Sequence, residues 1–90
     1  MAYIYRLHAL ERMFQRDIEE NEVEAVIKRG EIIESYSDDK PYPSFLVFGL
    51  SKNLPLHVVY ARDEENNIIV ITAYRPNLEK WQDDFKIRKV

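Results

Sequence analysis

Apolar residues recur along this chain first with the spacing of helices and then with that of strands. Between Arg6 and Arg16 the apolar positions Leu7, Leu10, Met13 and Phe14 lie three or four apart, marking one face of a helix. At about 100° per residue, His8, Glu11, Arg12 and Gln15 take the opposite face and Arg16 its boundary. A second helix is predicted from Glu20 to Arg29. Val23, Val26 and Ile27 form its stripe, Asn21 with Glu24 has the spacing of a capping box, and Lys28-Arg29-Gly30 is a stop signal. Asp17 is placed at the turn between the helices, since Asp accepts unusual backbone angles more readily than most residues.

From Glu31 onward the pattern changes to strands. Glu31 to Tyr36 is rich in isoleucine, and Ser37 to Pro43 is a loop because its two prolines forbid regular pairing. Ser44 to Leu50 is apolar apart from Gly49, as a central strand covered on both faces would be. Leu56 to Arg62 and Ile68 to Tyr74 read as a hairpin across Asp63-Glu64-Glu65-Asn66-Asn67. Pro76 ends the last strand, and Asn77 to Gln82 is expected to form a short helix whose Trp81 docks on the sheet. The order is α-α-β-β-β-β in one domain over residues 1–90. The expected class is α+β: two N-terminal helices on a four-stranded, mainly antiparallel sheet, with a short C-terminal helix.

Composition narrows the setting. Ninety residues, 46% apolar and 12% aromatic, supply a core for a domain near the small end of what folds alone. Without cysteine there is no disulfide framework and no thiolate metal site, which points to the cytoplasm. The N-terminal segment is charged within its first turns, so no signal peptide is expected, and no stretch approaches the roughly 20 apolar residues of a membrane span. A net charge of −3 argues against a general nucleic-acid binder. Its distribution is uneven, however. Residues 1–16 carry three arginines against Glu11, residues 75–90 five basic side chains against three acidic ones, and residues 17–65 twelve acids against five bases. Ends that meet in space would form a cationic site on an acidic protein.

The candidate chemistry rests on few side chains. His8, Arg12 and Arg16 recur every fourth residue, and His57 interrupts the apolar run Leu56-His57-Val58-Val59-Tyr60. Histidine titrates near neutrality, so two of them beside arginines suggest acid–base work on a phosphate. In a metal-free phosphodiester site His8 and His57 would be acid and base, arginines would offset charge in the transition state, and Tyr74 would orient the phosphate or stack on a base. His57 shares a strand face with Val59 and Ala61, and Tyr74 shares one with Thr72; whether the two faces coincide depends on the hairpin register, which a one-residue slip inverts. Competing with this are a hydrogen-bonded structural histidine and a solvated arginine face, on a non-catalytic protein-interaction module that binds through a sheet edge or the Tyr42 loop, or on a small-ligand-binding domain. Nothing has the HxxxH or HxH spacing of a metal site, Ser44 lacks a nucleophile elbow, and there is no glycine-rich phosphate loop, so no cofactor is implied. The acids at 19–24 read as an exposed helix face.

Four segments occur together and in order: His8-Ala9-Leu10-Glu11-Arg12-Met13, Pro41-Tyr42-Pro43-Ser44, Pro55-Leu56-His57-Val58-Val59, and Ile71-Thr72-Ala73-Tyr74-Arg75-Pro76 followed by Trp81. The chain from His8 to Trp81 thereby resembles a family of small bacterial domains of unknown function grouped with RelE-like and BrnT-like toxins of the BECR fold. The resemblance implies a RelE-like fold and a metal-independent endoribonuclease. It also implies RNA as substrate, cut free or on the ribosome, and a small zinc-finger or helix-turn-helix antitoxin as partner. On that pattern His8, Arg12, His57 and Tyr74 are the catalytic candidates, and Arg16, Thr72 and Arg75 the substrate-binding ones.

Overall fold

A computed structural model describes residues 2–90. Its elements run β1 (Tyr3–Tyr5), α1 (Leu7–Gln15), α2 (Glu20–Arg29), β2 (Glu31–Tyr36), β3 (Ser44–Ser51), β4 (Leu54–Arg62) and β5 (Ile68–Tyr74). The strands form one five-stranded sheet in the order β1-β5-β4-β3-β2. All neighbours are antiparallel except β1, which runs parallel to β5 with Tyr3 opposite Ile68 and Tyr5 opposite Val70. The expected four-stranded, mainly antiparallel sheet is therefore a five-stranded mixed sheet. Tyr3-Ile4-Tyr5 is too short to show a period, and what holds it is pairing with a strand more than sixty residues away.

The expected C-terminal helix does not form either. Residues 76–90 make turns and one bridge, Trp81 to Arg88, and lie across the sheet as a tail. Asn77 starts a turn that captures the Glu79 and Lys80 amides on its side chain, and Asp84 captures those of Lys86 and Ile87. These local bonds compete with helical ones, as Asn and Asp side chains commonly do. Trp81 docks on the sheet as expected and is 2% exposed.

Both helices pack on one face of the sheet, α1 against β5 and α2 against β3 and β4. Ala9, Met13, Val23 and Val26 meet Val47, Leu56, Val58, Tyr60, Val70 and Ala73 in a continuous core. α1 is rotated from the orientation its apolar stripe predicts. Ala9 and Met13 are buried, whereas Leu7 is 70% and Phe14 88% exposed. The small Ala9 lets the helix approach β5 closely, and Arg16, near Ala9 on the helical wheel, turns toward the end of that strand. Asp17 takes φ 56° at the turn into α2, as expected of it. The capping box of α2 is formed by Glu19 and Glu22, in place of Asn21 and Glu24, and starts the helix two residues earlier than that pair would. Gly30 follows α2 with φ −79°, so its glycine serves close approach: a Cβ there would lie 2.4 Å from the Phe48 carbonyl and 2.5 Å from that of Val26.

The hairpin register settles the open question of faces. His57 pairs directly with Tyr74, Val58 with Ala73 and Val59 with Thr72, so His57 and Tyr74 share a face. A bulge follows, where Tyr60 pairs with Val70 and Ile71 is the extra residue. By alternation the face that carries His57 is the one turned away from the helices, and the tail covers it.

Candidate functional site

His57 lies at 0% exposure in the middle of the sheet's second face. Trp81 stands edge-on to its ring at 4.5 Å, with Tyr74 at 5.3 Å and Phe48 at 6.0 Å. Both ring nitrogens are occupied. Nε2 is 2.6 Å from the Phe85 carbonyl oxygen, which can only accept, so Nε2 carries the hydrogen. Nδ1 then accepts from the Tyr74 hydroxyl at 3.2 Å. Burial pushes the His57 pKa down, opposed by the Phe85 carbonyl, and the nearby Arg88 charge adds to the lowering while Glu34 resists it. The resting imidazole is neutral. Burial likewise pushes the Tyr74 hydroxyl up, which keeps it protonated.

This arrangement makes acid sensitivity readable. The unfolded chain takes up a proton near the ordinary value of 6.5, whereas the folded chain resists until lower pH. The stability that neutral His57 contributes is thus complete above that value and is lost as pH falls through the folded-state pKa. Thermal melts from about pH 7 down to about pH 5 should show a falling midpoint whose slope flattens in His57→Gln. Equal slopes would contradict the assignment.

At the end of β5 the two faces of the sheet meet a cavity of about 520 Å³, lined by Arg16, Tyr74, Arg75, Pro76, Asn77, Lys80, Trp81 and Arg88. Four of these eight side chains are cationic, and no carboxylate is among them. Their charge is partly balanced from outside. Arg75 binds Glu22 at 3.0 Å and also donates to the Ser51, Leu54 and Pro55 carbonyls. Arg88 binds Glu34 at 2.9 Å and lies over the Trp81 ring at 4.6 Å. Arg16 donates to the Ala73 carbonyl at 2.8 Å, and among the described residues neither it nor Lys80 pairs with a carboxylate. The unbalanced charge of the cavity is therefore that of Arg16 and Lys80. A concave, cationic site with a phenol and an indole in its wall suits a phosphate attached to an aromatic base.

The candidates read from sequence separate into two groups. Arg16, Tyr74 and Arg75 line the cavity, and His57 stands behind Tyr74. Thr72 is on the same face, opposite Val59, two residues before Tyr74 and outside the lining. His8 and Arg12 are exposed on α1. Arg12 lies one turn and His8 two turns before Arg16, which puts His8 about 12 Å along the helix from the cavity's edge. With α1 on one face of the sheet and His57 buried under the other, the two histidines are not brought together. The topology therefore gives no support to pairing them as acid and base, and the side chain hydrogen-bonded to His57 is that of Tyr74.

Three contributors escape a reading of the sequence. Lys80 and Arg88 enter through a tail whose course no periodicity reveals. Glu22, read as part of a solvated acidic face, is 7% exposed and anchors Arg75. The signal was its place four residues before Val26, beside the apolar stripe. Burial alone would raise the Glu22 carboxyl, but hydrogen bonds from the Ser51 hydroxyl and the Glu19 amide, with the charges of Lys52 and Arg75, hold it below the usual range. Glu22→Gln should cost about 2 kcal/mol, less than the ~3–5 of breaking a fully buried pair because Arg75 is partly in water. The midpoint of urea unfolding reads this directly.

Residues 5–75 match a family model described as Domain of unknown function (DUF4258). The chain belongs to this family. No curated protein and no solved structure matches it. The family segment holds β5 with Tyr74 and Arg75, the helix residue Arg16 and the strand residue His57; Lys80, Trp81, Phe85 and Arg88 lie beyond the matched residues. Among the described residues, no helix is long and apolar enough to cross a membrane.

Proposed function

We propose that this domain is a metal-independent endoribonuclease of the RelE-like and BrnT-like kind, acting as the toxin of a toxin–antitoxin pair. The observation that supports it best is the convergence of Arg16, Lys80 and Tyr74 on one cavity with neutral His57 directly behind the phenol. The toxin role and its antitoxin partner rest on the sequence resemblance. In the proposed reaction the RNA 2′-oxygen attacks the adjacent phosphorus while the bond to the 5′-oxygen breaks. The 2′-hydroxyl proton passes to the Tyr74 oxygen as Tyr74 gives its own proton to His57 Nδ1. Burial makes the resulting imidazolium a stronger acid than an exposed one, so the proton returns through Tyr74 to the leaving 5′-oxygen. The products are a 2′,3′-cyclic phosphate and a 5′-hydroxyl. Arg16 and Lys80 stabilise the charge that builds on the non-bridging oxygens, and Arg75 and Arg88 contribute from fixed positions.

Two unbalanced cations give modest affinity, and a net charge of −3 opposes unaided binding. That balance suits RNA presented by a ribosome. The anion site is tested by binding of a fluorescent 2′-O-methyl RNA oligonucleotide, which the attack cannot cleave. Arg16→Ala and Lys80→Ala should each weaken binding and reduce the salt slope by about 0.7, the contribution of one phosphate contact to a single strand. Unchanged slopes in both variants would remove RNA from this cavity and favour the non-catalytic interaction module.

A further inference from the structure

A second concavity lies on the helical layer, on the opposite side of α1 from Arg12. Its floor is Met13 and Ile18, its wall Leu10 and Phe14, and its rim Glu11, Glu19, Glu20 and Asn21. Phe14, at 88% exposure, is among the most exposed large apolar side chains of the molecule, and Leu7 continues the stripe one turn before Leu10. Leu7, Leu10 and Phe14 stand at i, i+3 and i+7, the seam by which one helix packs along another. Small monomeric domains rarely leave such a stripe in water without a use for it.

We infer that this groove docks a basic amphipathic helix of a partner protein. The rim carries three carboxylates and no basic side chain, so an occupant with Lys or Arg flanking its apolar stripe is complementary in charge. Glu19 already binds one cation, Lys52, at 3.7 Å from its carboxylate. A second copy of this chain would bring its own Glu11, Glu19 and Glu20 against the same acids, and an anionic lipid surface would be repelled by them. An extended peptide would find no strand edge here, because the groove is walled by α1 and by the turn that leads into α2. The inference stands apart from the ribonuclease reading, since none of these residues lines the cationic cavity.

The test is a titration of isotope-labelled protein, followed by amide NMR shifts, with a synthetic helix of about 14 residues in which leucines follow helical spacing and lysines fill the rest. Its counterpart with glutamate for lysine is the charge control. Shifts should be confined to α1, the turn after it and the start of α2. Phe14→Ser, which alters a side chain already in water, should weaken binding about tenfold or more while leaving the melting midpoint in place. Glu11→Lys with Glu20→Lys should weaken the lysine peptide and strengthen the glutamate one. Shifts scattered over the acidic segments around residues 38 and 64, unaffected by Phe14→Ser, would overturn the proposal. So would equal binding of both peptides, or a dimer in sedimentation that Phe14→Ser dissociates.

Discussion

Tyr74→Phe should lower the rate of RNA cleavage by about 10²–10⁴, the range lost when a positioned proton donor or acceptor is removed. The substitution deletes one oxygen and little else. The ring stays against His57, and the cavity keeps its four cations. It does leave His57 Nδ1 buried without its donor, a loss worth about 1–3 kcal/mol. The domain therefore remains folded but less stable, and the activity loss must be measured well below its melting point. A structural role for Tyr74 predicts something different: activity falling only in proportion to the folded fraction. Comparing rate and melting midpoint in one preparation separates the two. His57→Gln extends the comparison, because an amide can accept from Tyr74 yet cannot take its proton.

Trp81→Ala should be the most destabilising single change in the tail. The indole is 2% exposed and closes over His57, and Arg88 stacks on its outer face. Removing a buried aromatic side chain costs about 3–5 kcal/mol, a large part of the ~5–15 that holds a small domain together. A domain of this size loses about 4–8 °C of melting midpoint per kcal/mol, so a fall of at least about 12 °C is expected. The consequence for the site is specific. With Trp81 gone, water reaches His57 and its pKa rises toward the ordinary histidine value, so the acid sensitivity described for the native protein should diminish. A melting midpoint within a few degrees of the native one would show that the tail is dispensable to the sheet.

How much of this could be read from the residues follows from the range of the forces involved. α2, β2 and β5 are found where their patterns place them, and β3 and β4 lie within two residues of theirs, since each carries enough periodic positions to set its own conformation. Trp81 could be placed on the sheet from its size and apolarity alone. β1 could not be found, because three residues have no period and their partner is distant in sequence. The rotation of α1 was also hidden. Its moment points along Leu7, Leu10 and Phe14, but the face that meets β5 is chosen by the small Ala9 and by Arg16 reaching the Ala73 carbonyl. The site divides in the same way. His57 was legible as a titratable group inside an apolar strand, and Tyr74 as its neighbour once the register was known. Glu22, Lys80 and Arg88 belong to long-range charge pairing and to the course of the tail, which local pattern does not encode.

The most direct measurement is cleavage of a long single-stranded RNA, free in EDTA and, in a separate arm, on ribosomes kept intact by magnesium, followed by analysis of the new ends. Expected are cleavage of the free RNA without divalent metal, 2′,3′-cyclic phosphate and 5′-hydroxyl ends, and the loss of those ends in folded Tyr74→Phe. Intact RNA under both conditions at enzyme excess, or cleavage that Tyr74→Phe leaves unchanged, would contradict the ribonuclease reading.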